Sequence, residues 1–363
     1  MIILYGTLGR YFAMRFVKAI LGVFLTVFVL IFTLDLVELM RRSGEAEGAT
    51  TLNLARLAFL RTPATAEMIL PFAALFGALA TFLNLSRKLE LVVVRAAGVS
   101  AWQFSLPGVV VAGSLGLFAT LAYNPLAAQF RQKAEAYESQ LFARGRLGGS
   151  EKGVWLRQRS VDGETILRAA RFDESRFTLV DVTAFSFDAT GQFMERIEAA
   201  QAIHLRDHWR FETVRVLTAG IEPQEIDRYL LATSVSREQL RSAVGQSQAV
   251  SFWALPGVVR SLELAGLDAT RYRLRYHSLL AKPALLVAMV LLAASVSLRF
   301  LRSGGFAGMV LSGVAAGFVL YVATQIIEDL GSAGLVSTIF AAWSAPAIGG
   351  LMGTLALLHR EDG

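Results

Sequence analysis

Four charged residues stand together where the first apolar run ends: Asp35, Glu38, Arg41 and Arg42. On a helix, Glu38 reaches both Arg41 and Arg42, because residues three and four apart share a face. That spacing allows two readings. One is a self-paired helix end with its charged tips in water. The other is a rim for phosphate groups, since the planar guanidinium fork binds two oxygens at once. A second basic group, Arg271, Arg273, Arg275 and His277 with Lys282 beyond it, leads into the fourth apolar run. It reads either as an interfacial anchor or as a second contact for an anionic lipid. Glu67, Gln325, Glu328 and Asp329 are placed to balance those cations across helices. The third constellation is RKLELVVVRAAGVS at 87–100, where Arg87, Glu90 and Arg95 flank Leu91 and Val94 ahead of Gly98.

Residues for covalent or redox chemistry are sparse. No cysteine occurs, which removes disulfides and thiolate-bound metals. The chain lacks a Gly-x-x-x-x-Gly-Lys-Ser/Thr loop, a His-Glu-x-x-His helix and a Gly-x-Ser-x-Gly elbow. His204 and His208 are four apart, but they fall in a strand–turn–strand pattern that does not pair them as a helix would. Neither a cofactor nor a metal is expected, and a membrane enzyme would need an acid–base or nucleophile pair that the sequence does not offer.

The elements that must position these groups are mostly apolar. Of 363 residues, 54% are hydrophobic and 18% charged, against about a quarter charged in soluble domains. Mean hydropathy is +0.51. The net charge of +6 therefore reads as basic residues flanking membrane spans, not as a nucleic-acid surface. Six stretches approach the roughly 20 apolar residues that cross a bilayer: Phe12–Met40, Ala64–Ser86, Trp102–Tyr123, Leu279–Leu298, Phe306–Ile327 and Leu335–Leu358. The first is too long for a signal-peptide core and no small-residue cleavage site follows it.

Between the two groups of three spans, Ala128–Tyr276 changes character. VWLRQRS and ETILRAAR flank Asp162-Gly163, a hairpin signal. RFTLVDVTAFSFD and QFMERIEAAQAIHL flank Ala-Thr-Gly, and HWRFETVRVL alternates like a half-buried strand. Strands at this spacing predict a sandwich or jelly roll of open strand order. Val235–Leu267 is compatible with helix. The expected organisation is 1–127 (three spans), 128–276 (β-rich) and 277–363 (three spans). The fold class is an α+β membrane protein.

Arg10, Arg15 and Lys18, then Arg87, Lys88 and Arg95, then Arg299 and Arg302 place the N-terminus and the short loops inside, with the β-rich domain outside. Arg41, Arg42, Arg56 and Arg61 oppose that orientation. The segment from 87 to about 99 is too short to span. Read as a helix ending at Gly98, it is either an interfacial loop helix or a coupling helix that docks in a groove of a soluble motor subunit.

ELVVVRAAGVS, preceded by PFAALFGALATFLNLSRK, resembles the signature of the LptF/LptG lipopolysaccharide export permease family. LGRYFAMRF near the start, GVWLRQ at 153–158 and the layout of three spans, β-domain and three spans are similar to the family over nearly the whole length. The wording leans toward its LptG branch, with the sister LptF as the alternative. The resemblance implies a non-catalytic permease in the bacterial inner membrane with a periplasmic domain. Its implied partners are an LptB ATPase dimer, LptF, LptC, the LptA bridge and lipopolysaccharide. By the match of wording, Arg87, Glu90 and Arg95 would contact the ATPase, Leu91 and Val94 would anchor it, and Gly98 would close the turn. Family members often carry lysine where this chain has Asp35, so Asp35 is expected to pair with a base on another helix. A mechanotransmitting sensor that moves its outer domain without carrying lipid is the remaining alternative.

Overall fold

The structure is a computed structural model. It describes residues 6–42, 50–142, 154–160, 163–173, 176–188, 192–205, 207–218, 222–233, 235, 240, 250–264, 267–301 and 306–361. Two compact units emerge: 1–141 with 248–253 and 273–363, and 142–247 with 254–272.

The first unit is helical. α1 (Thr7–Arg42) is followed by α2 (Thr51–Glu67), α3 (Leu70–Arg87), the short α4 (Glu90–Ala96) and α5 (Ala101–Phe118). A π turn (Ala119–Tyr123) joins α5 to α6 (Asn124–Phe142). Among the described residues six helical segments are long and apolar enough to cross a membrane: 7–42, 70–87, 101–138, 270–297, 311–332 and 338–359. The second expected span is split. Ala64–Glu67 closes α2, whose N-terminus is capped by Thr50, and the chain restarts at Leu70 with Pro71 in the first turn. The third runs beyond Tyr123 as α6, so residues 128–142, expected in the β-rich segment, are helix.

Three threonines inside these helices are satisfied locally. Thr26 and Thr33 on α1 and Thr81 on α3 donate to carbonyls one turn back at 2.8–2.9 Å. Between helices, glycines set the distances. A Cβ on Gly77 of α3 would lie 2.6 Å from the Ile20 Cα of α1, and one on Gly108 of α5 would lie 2.9 Å from the Phe16 ring. Small residues let backbones approach where lipid supplies no hydrophobic drive. Phe12, Phe16, Ile20, Phe82, Leu85 and Phe104 form the cluster around these contacts. Farther along α1 the apolar residues Leu25, Val29, Leu34 and Val37 are exposed.

Helices α8 (Thr270–Leu301), α9 (Phe306–Ser332) and α10 (Thr338–Glu361) complete the helical set. The buried face of α8 carries Leu286, Met289, Val290, Ala293 and Ala294. Gly116 on α5 meets the Pro283 backbone of α8, and Gly353 on α10 meets Leu291.

The second unit holds six strands: β1 (Val154–Ser160), β2 (Gly163–Asp173), β3 (Thr178–Phe187), β4 (Phe193–His204), β5 (His208–Thr218) and β6 (Gln224–Ala232). The helix α7 (Leu255–Leu264) lies within the stretch expected to be helical. The strands form one antiparallel sheet in chain order. The expected inserted β-domain is present, but the crossover connection of a jelly roll does not occur among the described strands. The β1–β2 hairpin closes on Ser160 and Gly163, with Gly163 at φ +114; Asp162 and the Ala189–Gly191 turn lie outside the described residues.

This sheet is folded over. Gln158 of β1 shares a transverse row with Thr165, Ser186, Glu195 and Thr218, whereas Trp209 lies at the opposite end of β5. Nine steps along the strand separate Thr218 from Trp209, about 30 Å at ~3.3 Å per residue. Yet the Trp209 indole N–H donates to the Gln158 Oε1 at 3.1 Å. Thr233 donates to the same oxygen at 2.6 Å, and the Gln158 Nε2 donates to the Ala232 carbonyl at 3.2 Å.

The fold is accompanied by a phase jump. Buried or half-buried residues step by three at one row on four strands: Ala169 to Phe172, Leu179 to Val182, Ala199 to Ala202, and Phe211 to Val214. At that row pairing skips Ala170, Asp181, Ala200, Thr213 and Asp227, and Asp181 and Thr213 take left-handed φ of 54 and 56. Because Gln158 is buried, removing its amide strands the Trp209 and Thr233 donors. Gln158→Ala is expected to destabilise this unit by about 1–3 kcal/mol, read as a lowered midpoint in thermal unfolding of the full chain in detergent.

Candidate functional site

The segment between α3 and α5 is built as a short, rigid ledge. α3 ends at Arg87, and Leu89 turns the chain through a left-handed φ of 58 before α4 begins at Glu90. At the other end Gly98 takes φ +81. The Gly98 N–H donates to the Arg95 carbonyl at 2.9 Å and the Val99 N–H to the Val94 carbonyl at 3.3 Å. This is the Schellman closure, which glycine makes without a Cβ clash. Ser100 and Gln103 then cap α5 reciprocally.

The seven residues of α4 divide into two faces. Leu91, 1% exposed, sits in the cluster with Phe12, Phe16 and Phe82, and Val94 packs partly against it. These two, expected to anchor a partner, are turned into the chain's own core. The outward apolar surface is instead Leu89, Val92 and Val93, at 63%, 54% and 67% exposure. Arg87, Lys88 and Arg95 are exposed around it. Glu90 turns to α1: the Tyr11 hydroxyl donates to its Oε2 at 3.0 Å and the Arg15 Nη2 to its Oε1 at 3.3 Å. The Arg15 guanidinium also lies over the Tyr11 ring, 4.7 Å from its centroid, and bonds its hydroxyl.

At the far end of α1, Glu38 receives both arginines. Arg41 is forked onto it at 2.9 Å through Nε and Nη2, and Arg42 bonds it through Nε at 2.6 Å. Both guanidiniums remain largely exposed. Asp35 lies 3.8 Å from Arg61 of α2, the cross-helix base expected for it.

The basic group leading into α8 takes part in a buried ionic knot. Glu67, at the end of α2 and 3% exposed, contacts Lys282 and lies 3.6 Å from Arg275, both on α8. Asn124, at the start of α6, donates its amide to both Glu67 oxygens at 3.0–3.1 Å and accepts the Phe252 N–H at 2.9 Å. The adjoining π turn adds three ties: Thr120 to the Leu279 carbonyl, Tyr123 to the Pro63 carbonyl, and the Trp253 indole to the Leu121 carbonyl. A π turn leaves a carbonyl without its helical donor, and Trp253 fills that role. Ser278 bonds Glu328 at 2.6 Å. Arg275 is thus committed inward, while Arg271 and Arg273 are exposed.

The two histidines are engaged apart: His204 Nε2 lies 2.7 Å from the Val235 carbonyl, and His208 Nδ1 lies 2.7 Å from Asp207. No group of three or more His, Asp or Glu able to hold a metal occurs among the described residues. Arg302 lies outside them. Sequence reasoning missed Tyr11, Asn124 and Gln158. It used Arg15 only as an orientation signal, although a lone carboxylate amid Arg87, Lys88 and Arg95 already pointed to a base elsewhere.

Among the described residues, six apolar helices, an inserted antiparallel sheet and a ledge helix presented between the second and third spans define a multi-pass membrane protein. The chain belongs to the lipopolysaccharide export system permease LptF/LptG family, whose model matches residues 10–360. It is 26% identical over 337 residues to the lipopolysaccharide export system permease protein LptG of Escherichia coli (strain K12), covering 90% of this chain and 91% of that protein. It is 25% identical over 330 residues to the LptG of Haemophilus influenzae, covering 89% and 90%.

Proposed function

We propose that the chain acts as the LptG-type permease subunit of an ATP-driven lipopolysaccharide exporter. It pairs with LptF above an LptB ATPase dimer and meets the LptC helix. It draws lipopolysaccharide from the outer leaflet of the inner membrane and passes it toward the LptA bridge. The N-terminus and α4 are cytoplasmic, and the six-stranded unit is periplasmic.

The observation that carries this reading is the two-faced α4. Exposed apolar side chains ringed by Arg87, Lys88 and Arg95 are what a helix-in-groove contact requires. Leu91 and Val94 seat the helix, so a push on Leu89, Val92 and Val93 is borne by the core beneath. At the other end of α1, Arg41 and Arg42 exchange Glu38 for lipid phosphate at small cost, because exposed ion pairs contribute little. Arg271 and Arg273 add a second phosphate contact, while Asp35 and Arg275 position their neighbours.

Val92→Asp combined with Val93→Asp is expected to lower copurification of the ATPase at least tenfold, with the permease still monodisperse in detergent. Undiminished copurification overturns the docking surface. Photocrosslinking from positions 41 and 42 is expected to label lipopolysaccharide. Labelling of protein alone favours a sensor, and identifying the copurified permease partner separates LptG from LptF.

A further inference from the structure

We infer that Tyr11 and Arg15 form a latch that fixes α4 to α1 through Glu90 and makes α1 the lever moved by the coupling ledge. This rests on the transporter reading. The latch is a positioning device that leaves the outward surface of Leu89, Val92 and Val93 untouched.

α4 has only seven residues and a left-handed residue beyond each end, Leu89 and Gly98. It is therefore a separate piece, able to tilt about both joints. Leu91 and Val94 hold it by apolar contact, which is non-directional and resists sliding weakly. Glu90 supplies a directional hold, because both its oxygens are taken, one by Tyr11 and one by Arg15. The Arg15–Tyr11 contacts preset the two donors against each other. The Arg15 and Glu90 side chains are 23% and 27% exposed, so the hold is modest and reversible.

The other partner of the latch is suited to carry displacement. α1 runs 36 residues without a proline, about 54 Å at 1.5 Å per residue. Near the latch Ile20 is clamped against Gly77 and Phe16 against Gly108, with Phe12 buried beside them. Beyond that clamp the apolar side chains of α1 are exposed or half-buried except Leu39, which is buried, and Asp35 meets Arg61 of α2. A shaft clamped near the latch and seated again at Leu39 and Asp35 carries a displacement of one end to the other. A tilt of α4 applied at Tyr11 and Arg15 then reappears at Glu38, Arg41 and Arg42.

The natural chain lacks cysteine, so a single spin label at Ala96→Cys reports α4 alone. In the full chain, Arg15→Glu is expected to raise the label's mobility, and the swap Arg15→Glu with Glu90→Arg to restore it. Tyr11→Phe, a milder change, is expected to fall between. In proteoliposomes with the ATPase, Arg15→Glu is expected to cut lipid moved per ATP at least fivefold while ATPase copurification stays within twofold. The swap should recover most of that ratio. Unchanged mobility, or a swap no better than the single variant, overturns the latch. Changed mobility with an unchanged lipid-to-ATP ratio overturns transmission. A natural chain that binds no ATPase overturns the transporter reading, and transmission with it, while the label still judges the latch.

Discussion

Glu67→Ala is expected to destabilise the helical unit by about 3–5 kcal/mol, the range for removing one partner of a buried ion pair. The reason is what stays behind. Lys282 and Arg275 would remain beside each other with the shared carboxylate gone. Asn124 would lose the acceptor that orients it toward Phe252. Thermal unfolding in detergent, followed by loss of monodispersity, measures the effect. The control replaces Glu67 by Leu and Lys282 by Met together. Apolar replacement of a whole buried pair is often neutral, so the double variant should lie closer to the natural chain than Glu67→Ala does. A double variant as unstable as the single one would mean that the knot matters for shape and not for charge.

The second large effect is expected at Gly77. An added methyl would stand 2.6 Å from the Cα of Ile20, a backbone atom that cannot swing aside. Gly77→Ala must therefore part α1 from α3, at a cost of roughly 1–3 kcal/mol for overpacking. Gly22 on the same helix α1 has nothing within 4 Å of an added methyl. There the helix preference for Ala over Gly, about 1 kcal/mol, should make Gly22→Ala neutral or slightly stabilising. Gly313 is intermediate, because the obstructing atoms are the tips of the Leu79 side chain. Equal midpoints for Gly77→Ala and Gly22→Ala would refute the close approach.

Much of the architecture was readable because it rests on composition along the chain. Runs of some twenty apolar residues announce spans, the Asp162-Gly163 turn signal announces the strands beside it, and alternation announces the strand of HWRFETVRVL. α2 was not foreseen because TLNLARLAFLRTPATAE mixes charge with Pro63, and its end at Glu67–Met68 lies amid apolar neighbours. α6 was assigned to the β-rich segment because RQKAEAYESQ carries the charge density of a soluble domain. The candidate site was harder, since its contacts join distant residues. Glu67 and Lys282 are 215 positions apart, and Tyr11 and Glu90 are 79 apart. Which face of α4 turns inward depends on Phe12, Phe16 and Phe82, and short-range pattern says nothing about them. The Glu38–Arg41–Arg42 fork is local, and spacing alone anticipated it.

The skipped pairing row shared by β2 to β6 ties their lengths together. Deleting Asp181 alone would leave β3 one residue shorter than its neighbours across the line. Each β3 residue on one side would then face the wrong partner, since register has a period of two. Such a strand cannot be trimmed by itself. Only a coordinated excision of Ala170, Asp181, Ala200, Thr213 and Asp227 would keep the ladder continuous, and the product would be a flat sheet that no longer brings Gln158 to Trp209. Single-codon indels at this seam are thus far less tolerable than substitutions beside it.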